Sequence, residues 1–318
     1  MHFTKQIALA AGLASYVSAH GMVVSMNGAN GVNMPGLTVA DGTPRDCSSN
    51  GCGSQADTAI IKDSDIASGA TGPLGKTQGN GPVDAAVMVA AFMGTSGAAA
   101  PPTNKGASGA TGVEDNIPQN AQGGQRRQLL GGLLGGGAAG GAAGGAAGGG
   151  GATGIAGLLG GGGTKASGPP ESRVAAAAGQ GSDSGLPTAG DDGSINMTFR
   201  QINQDGAGPF EAAVDGTSGG TSEAAMQKAQ VAKDVPGLGV QGISLATTTE
   251  FPMTVMMPAG MTCDATVAGV NNVCVARVRN GAAAGPFGGS VAFTQTKAAR
   301  KRAIAYRLKK RMEIGNAH

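Results

Sequence analysis

Residues 129–163, LLGGLLGGGAAGGAAGGAAGGGGATGIAGLLGGGG, hold little besides glycine, alanine and a few leucines. Glycine loses the most backbone entropy on folding and alanine offers little surface in return, so a run of this kind does not make a packed unit. Any core must come from the sequence on either side. The surroundings of the run, about residues 95–190, share its Gly/Ala/Ser/Pro character, and the whole stretch is expected to be a flexible, disordered insert. With 60 glycines and 13% charged residues in 318, large apolar side chains are scarce. The length would allow two domains, but this composition favours one.

Strand signals flank the insert. INMTF places Ile195, Met197 and Phe199 on one face, and FEAAV alternates Phe210, Ala212 and Val214. FPMTVMM, NVCVARVRN and GGSVAFTQ read as further strands, and VDAAVMVAAFM, residues 83–93, as a short helix. TSEAAMQKAQVAKDVPG also reads as a helix, with Thr221 or Ser222 as N-cap and Pro236 beyond its end. Short strands separated by turn signals predict a mainly β fold, an immunoglobulin-like β-sandwich. It would be built from residues 20–94 and 191–296 around the 95–190 insert.

The ends of the chain have their own character. Residues 1–19 carry Lys5, the apolar run IALAAGLASYV and the small residues Val17-Ser18-Ala19, the parts of a secretory signal peptide. That run is too short to span a bilayer, and no later segment is long and apolar enough. The expected product is extracellular and begins at His20. Residues 297–318 form a basic tail with eight Lys or Arg against Glu313 alone, expected to be helical with Ile304, Leu308 and Met312 along one side. Between signal and tail the net charge is about −6, so the overall balance of +2 describes the tail and not the body. Lys301-Arg302, Lys309-Lys310-Arg311 and Arg126-Arg127 have the form of dibasic processing sites. The tail could meet an anionic surface, but export leaves nucleic acid out of the expected partners.

Export also makes the four cysteines legible as two disulfides. Three connectivities are possible, and local pairing, Cys47 with Cys52 and Cys263 with Cys274, is the economical one. Their spacings do not match zinc ligands. Asn196-Met197-Thr198 is an N-glycosylation sequon, and alternation turns Asn196 to solvent.

Complete catalytic sets are missing. GTSGG puts Ser218 in a GxSxG pattern, yet the body after His20 has no histidine to act as base. GLGVQG, residues 237–242, fits GxGxxG but follows Pro236 and precedes strand-like sequence, so it reads as a turn. Asp205 and Glu250 are candidate glycosidase carboxylates, but nothing sets their separation. There is no tryptophan, and both tyrosines, Tyr16 and Tyr306, lie outside the body, so the usual aromatic platform for a sugar is absent. His20 remains. As a first residue it would offer an amine and an imidazole to copper, a two-nitrogen grip short of the donor set copper prefers.

Several segments taken in order are more specific than any alone. HGMVVSMNGANGVNMPGLTVADGTPRDCSSNGCGSQADTAIIKD, INQDGAGPFEAAVD, DVPGLGVQG, MPAGMTC and RNGAAAGPFGG resemble the secreted appressorium-associated virulence proteins of ascomycete fungi, the MAS/GAS group. The resemblance implies a secreted virulence factor of infection structures, active in host penetration. It would act without catalysis, with fungal or host cell-wall or surface components as partners. The opening HG and the DGAGP segment also resemble copper-dependent polysaccharide monooxygenases, which fold as immunoglobulin-like sandwiches. That likeness supplies the alternative, a copper-dependent oxidase using His20. The chain departs from those enzymes in lacking a second body histidine and an aromatic surface.

Overall fold

A computed structural model describes residues 20–48, 53–95, 100–104, 162–166, 168–237 and 242–315. The signal segment 1–19, Arg126-Arg127, Cys52, the middle of GLGVQG and His318 lie outside the described residues.

In chain order the strands are β1 (Gly21–Asn27), β2 (Asn33–Pro35), β3 (Ala59–Ile60), β4 (Lys76–Thr77), β5 (Gly81–Pro82) and β6 (Thr164–Lys165). They continue as β7 (Ser194–Gln201), β8 (Phe210–Asp215), β9 (Met226–Lys233), β10 (Thr249–Met256), β11 (Ala265–Val267), β12 (Val270–Asn280) and β13 (Phe287–Phe293). The helices are α1 (Asp63–Ala67), α2 (Ala85–Met93), α3 (Arg173–Ala177), α4 (Gly181–Ser184) and α5 (Lys297–Gly315). The strands pair antiparallel in one sheet, in the order β2-β1-β7-β10-β9-β8-β12-β13-β3-β4-β5, with β11 on β12 and β6 on β10.

The mainly β reading therefore holds, and its alternation is visible. Ile195, Met197 and Phe199 of β7 are buried and face Val255, Met253 and Phe251 of β10 in register, while Asn196 is exposed. Across β7's other edge, Phe199 meets Val23 and Met197 meets Met26. Phe210, Val214, Cys274, Ala276, Val278, Val291 and Phe293 complete the same apolar cluster. Its members come from each of the seven strands β1-β7-β10-β9-β8-β12-β13 that are neighbours in the sheet, so the sheet rolls around one core. The roll brings β1 against β13: a Cβ at Gly289 would lie 2.7 Å from the Val23 nitrogen, and Leu37 N donates to Ser290 O at 2.9 Å.

Hydrogen bonding runs through β9, which pairs with β8 on one side and β10 on the other. Two sheets of an immunoglobulin-like sandwich would be unlinked there. The same strand corrects the helix expected in TSEAAMQKAQVAKDVPG. Only a 3₁₀ turn forms, Glu223–Ala225, followed by β9. Helical propensity in an Ala/Gln/Lys-rich segment amounts to tenths of a kcal/mol per residue, whereas a helix here would leave the β8 and β10 edges without partners.

A second cluster covers the outer face. Met88, Val89 and Phe92 of α2 pack with Met22, Val275 and Ala292 from the sheet. The sequence places this helix well: Asp84 caps it by accepting from Ala86 N at 2.9 Å, and Gly94 ends it at φ +67°. Val174 and Ala177 of α3 join this layer, as does Leu186. This corrects the expected 95–190 insert at its C-terminal end, where residues 171–190 are ordered and pack on the body. The small residues there serve close approach, since a Cβ at Gly181 would lie 2.6 Å from Phe92 Cδ1. Cys263 and Cys274 form the expected disulfide, with Cα atoms 4.8 Å apart. Cys47 is disulfide-bonded too, while Cys52 lies outside the described residues.

Candidate functional site

Four segments that the sequence singled out separately meet at one corner of the rolled sheet. His20, at the start of β1, is 1% exposed, and its ring stacks on Phe287 with centroids 4.8 Å apart. Its carbonyl accepts from Ile202 N at 2.9 Å and Asn203 N at 3.3 Å, which ties it to the DGAGP loop. The Asn203 side-chain nitrogen lies 3.3 Å from His20 Nδ1. Gly206 is packed so closely that a Cβ there would lie 2.2 Å from the His20 carbonyl oxygen. Asn280 holds the rest together: its Nδ2 donates to the Asp205 and Ala207 carbonyls at 3.3 and 3.2 Å, and its Oδ1 accepts from Phe287 N at 3.1 Å. Gly242, the last glycine of GLGVQG, accepts from Ala207 N at 2.8 Å and adopts φ +70°, so a side chain there would be strained and would meet Asn280.

The corner thus has a buried imidazole, amides and tight glycine turns. Among the described residues no group of three His, Cys, Asp or Glu side chains is arranged to hold a metal. The His20 ring is instead packed against an aromatic face. No helix opens behind Gly242 before β10 begins, so the described end of GLGVQG is a turn.

The other catalytic candidates are engaged elsewhere. Ser218 Oγ donates to Asp215 Oδ2 and accepts from Ser222 N at 3.0 Å. Asp215 also accepts from the Ser218 and Gly220 nitrogens at 2.9 and 2.7 Å. Burial alone would raise the Asp215 pKa; these donors outweigh it and hold it below the usual carboxylate range. GTSGG is a capped turn. Glu250, on β10, lies 3.4 Å from both Arg173 and Arg200, while Asp205 sits buried in the DGAGP loop. Glu250 is thus committed to two guanidinium groups. Asn196 stands on the exposed face of β7, where its Oδ1 accepts from Thr254 Oγ1 at 2.9 Å.

A buried ion network that the sequence did not reveal adjoins β7. Arg45 bridges Asp57 at 2.6 Å and Glu171 at 2.9 Å, all three being buried. Burial works against the Arg45 charge, but the two carboxylates more than offset it and its pKa is raised. Arg200, 2% exposed, donates to the Arg45 carbonyl. Burial first, then the neighbouring Arg45 charge, pushes its pKa down to about 10. No local signal marks these residues, because Arg45 and Glu171 lie 126 positions apart. A polar groove of about 240 Å³ runs over β8, β9 and β12, lined by Glu211, Glu223, Lys228, Arg277 and Arg279. Its arginines are matched within the chain, Arg277 by Glu223 at 2.6 Å and Arg279 by Asp63 and Glu211.

Four of the five segments on which the family resemblance rests meet at the His20 corner. The family model for Egh16-like virulence factors matches residues 18–288. The chain belongs to that family. The chain is 48% identical to the appressoria-specific virulence factor GAS2 of Pyricularia oryzae over 311 residues, covering 98% of this chain and 95% of that protein. A second relative, the appressoria-specific virulence factor GAS1 of the same fungus, is 39% identical over 129 residues, 39% of this chain and 50% of its own length. No solved structure matches. This Egh16-like chain carries a disulfide buried in its core, and no helix among the described residues is long and apolar enough to cross a membrane.

Proposed function

We propose that this Egh16-like protein is a secreted virulence-associated factor of infection structures, acting without catalysis at the fungal surface or host interface. The observation that carries this reading is the near full-length similarity to a protein named an appressoria-specific virulence factor. The non-catalytic part draws support from Ser218, Asp215 and Glu250, whose polar atoms are consumed by turns and ion pairs. A strain lacking the gene should form infection structures but penetrate host tissue less, and Ser218→Ala should restore penetration fully. A chain whose N-terminus is His20 should be found outside the cell. Unchanged penetration, or failure of the Ser218→Ala chain to complement, would overturn the proposal.

The alternative, a copper-dependent polysaccharide oxidase, depends on the His20 corner. Tight cupric sites take three or four donors in a near-planar array, and amides or carboxylates on glycine-rich loops are poorer ligands than imidazole. Copper titration of the chain starting at His20 is therefore expected to give weak or substoichiometric binding, with no oxidised products from cellulose or chitin. One tightly held copper per chain, lost in His20→Ala and accompanied by oxidised sugars, would promote the enzyme.

A further inference from the structure

We infer that the C-terminal helix α5 is a docking element for an anionic lipid surface, an assignment independent of the reading above. All the large apolar side chains that stand exposed among the described residues lie on this one helix: Ile304, Tyr306, Leu308, Met312 and Ile314. The helix is held to the body by its first half. Ala299 is buried, Arg300 donates to the Cys263 carbonyl at 2.6 Å and pairs with Asp264 at 2.5 Å, and Arg307 reaches Thr262 Oγ1 at 3.2 Å. Tyr306 and Arg307 lean on the turn at Gly260, where an added Cβ would lie 2.9 and 3.0 Å from their side chains. At about 100° per residue, Ile304, Leu308 and Met312 fall on the side turned away from that contact. They are 38%, 53% and 63% exposed, so Leu308 and Met312 are more than half open to solvent and Ile304 more than a third.

Charge decides which occupant fits. The helix carries eight Lys or Arg and one Glu, with Arg311 beside the stripe and Lys301 on the same side about a turn before Ile304. A second copy of the same helix would bury the stripe but bring two strongly positive elements together. A nucleic acid would use the cations and leave the stripe in water. An anionic bilayer surface uses both: the stripe enters the headgroup boundary while the long basic side chains reach the phosphates. The helix would lie on the membrane and not cross it, in keeping with its polar character.

The chain has no tryptophan, so Leu308→Trp supplies a single fluorescent reporter. With the full chain, its emission should shift to the blue on vesicles of phosphatidylcholine with about 30% phosphatidylserine, and not on phosphatidylcholine alone. Raising salt from about 50 to 300 mM should weaken binding at least about tenfold. Ile304→Ser/Leu308→Ser/Met312→Ser keeps every charge and changes only exposed side chains, and in a co-sedimentation assay it should bind about tenfold or more weakly. No partition onto anionic vesicles would overturn the assignment and leave an acidic protein groove as the occupant. Triple-variant binding within about twofold of the parent would also overturn it, reducing the helix to charge adsorption.

Discussion

Arg45 shows what single residues do in this protein. Its guanidinium is enclosed with Asp57 and Glu171, and it joins three segments that the sequence gives no reason to connect. Removing one partner of such a group leaves a buried charge uncompensated, which costs far more than losing a surface pair. For Glu171, burial alone would raise the pKa, but Arg45 and Arg173 outweigh it and hold the group below its ordinary value of 4.5. A lowered carboxylate pKa adds stability that is fully present above the ordinary value and is lost as pH falls through the folded one. The thermal midpoint should therefore drop between about pH 5 and pH 3. Glu171→Gln should be less stable at neutral pH by about 2–4 kcal/mol, and its midpoint should fall less steeply over the acid window. A variant with the parent's full acid dependence would show that Glu171 contributes nothing to it.

At the level of elements, β9 and α3 take their form from neighbours. β9 alternates poorly, with Ala229 its one buried residue, and it is a strand because both flanking edges need one. α3 is only five residues long, but the Asp41 carboxylate accepts from the Val174 and Ala175 nitrogens at 3.0 and 2.7 Å, filling its N-terminal donors from across the fold. The turn between β10 and β11 is held differently, by the Cys263–Cys274 disulfide, whose half-cystines are both fully buried in the main cluster. A chain with few large apolar residues leans more on such a link. Cys263→Ala/Cys274→Ala should lose about 2–4 kcal/mol in urea unfolding. A loss below about 0.5 kcal/mol would mean that the strand pairing of β12 holds this turn without help.

For the whole molecule the decisive contact is the seam where β1 meets β13. Gly289 has no room for a side chain there, its would-be Cβ lying 3.1 Å from Val23 Cβ as well as near the Val23 nitrogen. Gly289→Val should force the seam apart and cost about 1–3 kcal/mol, while Gly281→Ala, with nothing within 4 Å, should be nearly neutral. Equal stability of the two variants in urea would argue that the roll does not depend on this approach. Such a seam would also explain glycine in GPFGG, where turn chemistry alone would tolerate other residues.

Local pattern was enough for β7 and β10, where one buried face imposes a period of two on the sequence, and for β8, β12 and β13, whose short apolar runs are buried almost continuously. It was enough for α2, where a cap, an apolar run and a glycine stop coincide, and for α5, where breakers are absent. The sequence also carried the family, through glycines that only later proved to crowd His20 and Asn280. Only the tertiary structure decided that β9 is a strand, that residues 171–190 are ordered, that Arg45 meets Asp57 and Glu171, and that the sheet rolls until its ends touch. Each of those outcomes is a pairing between segments far apart in the chain, and a residue's own neighbours carry no information about a partner that folding alone brings near.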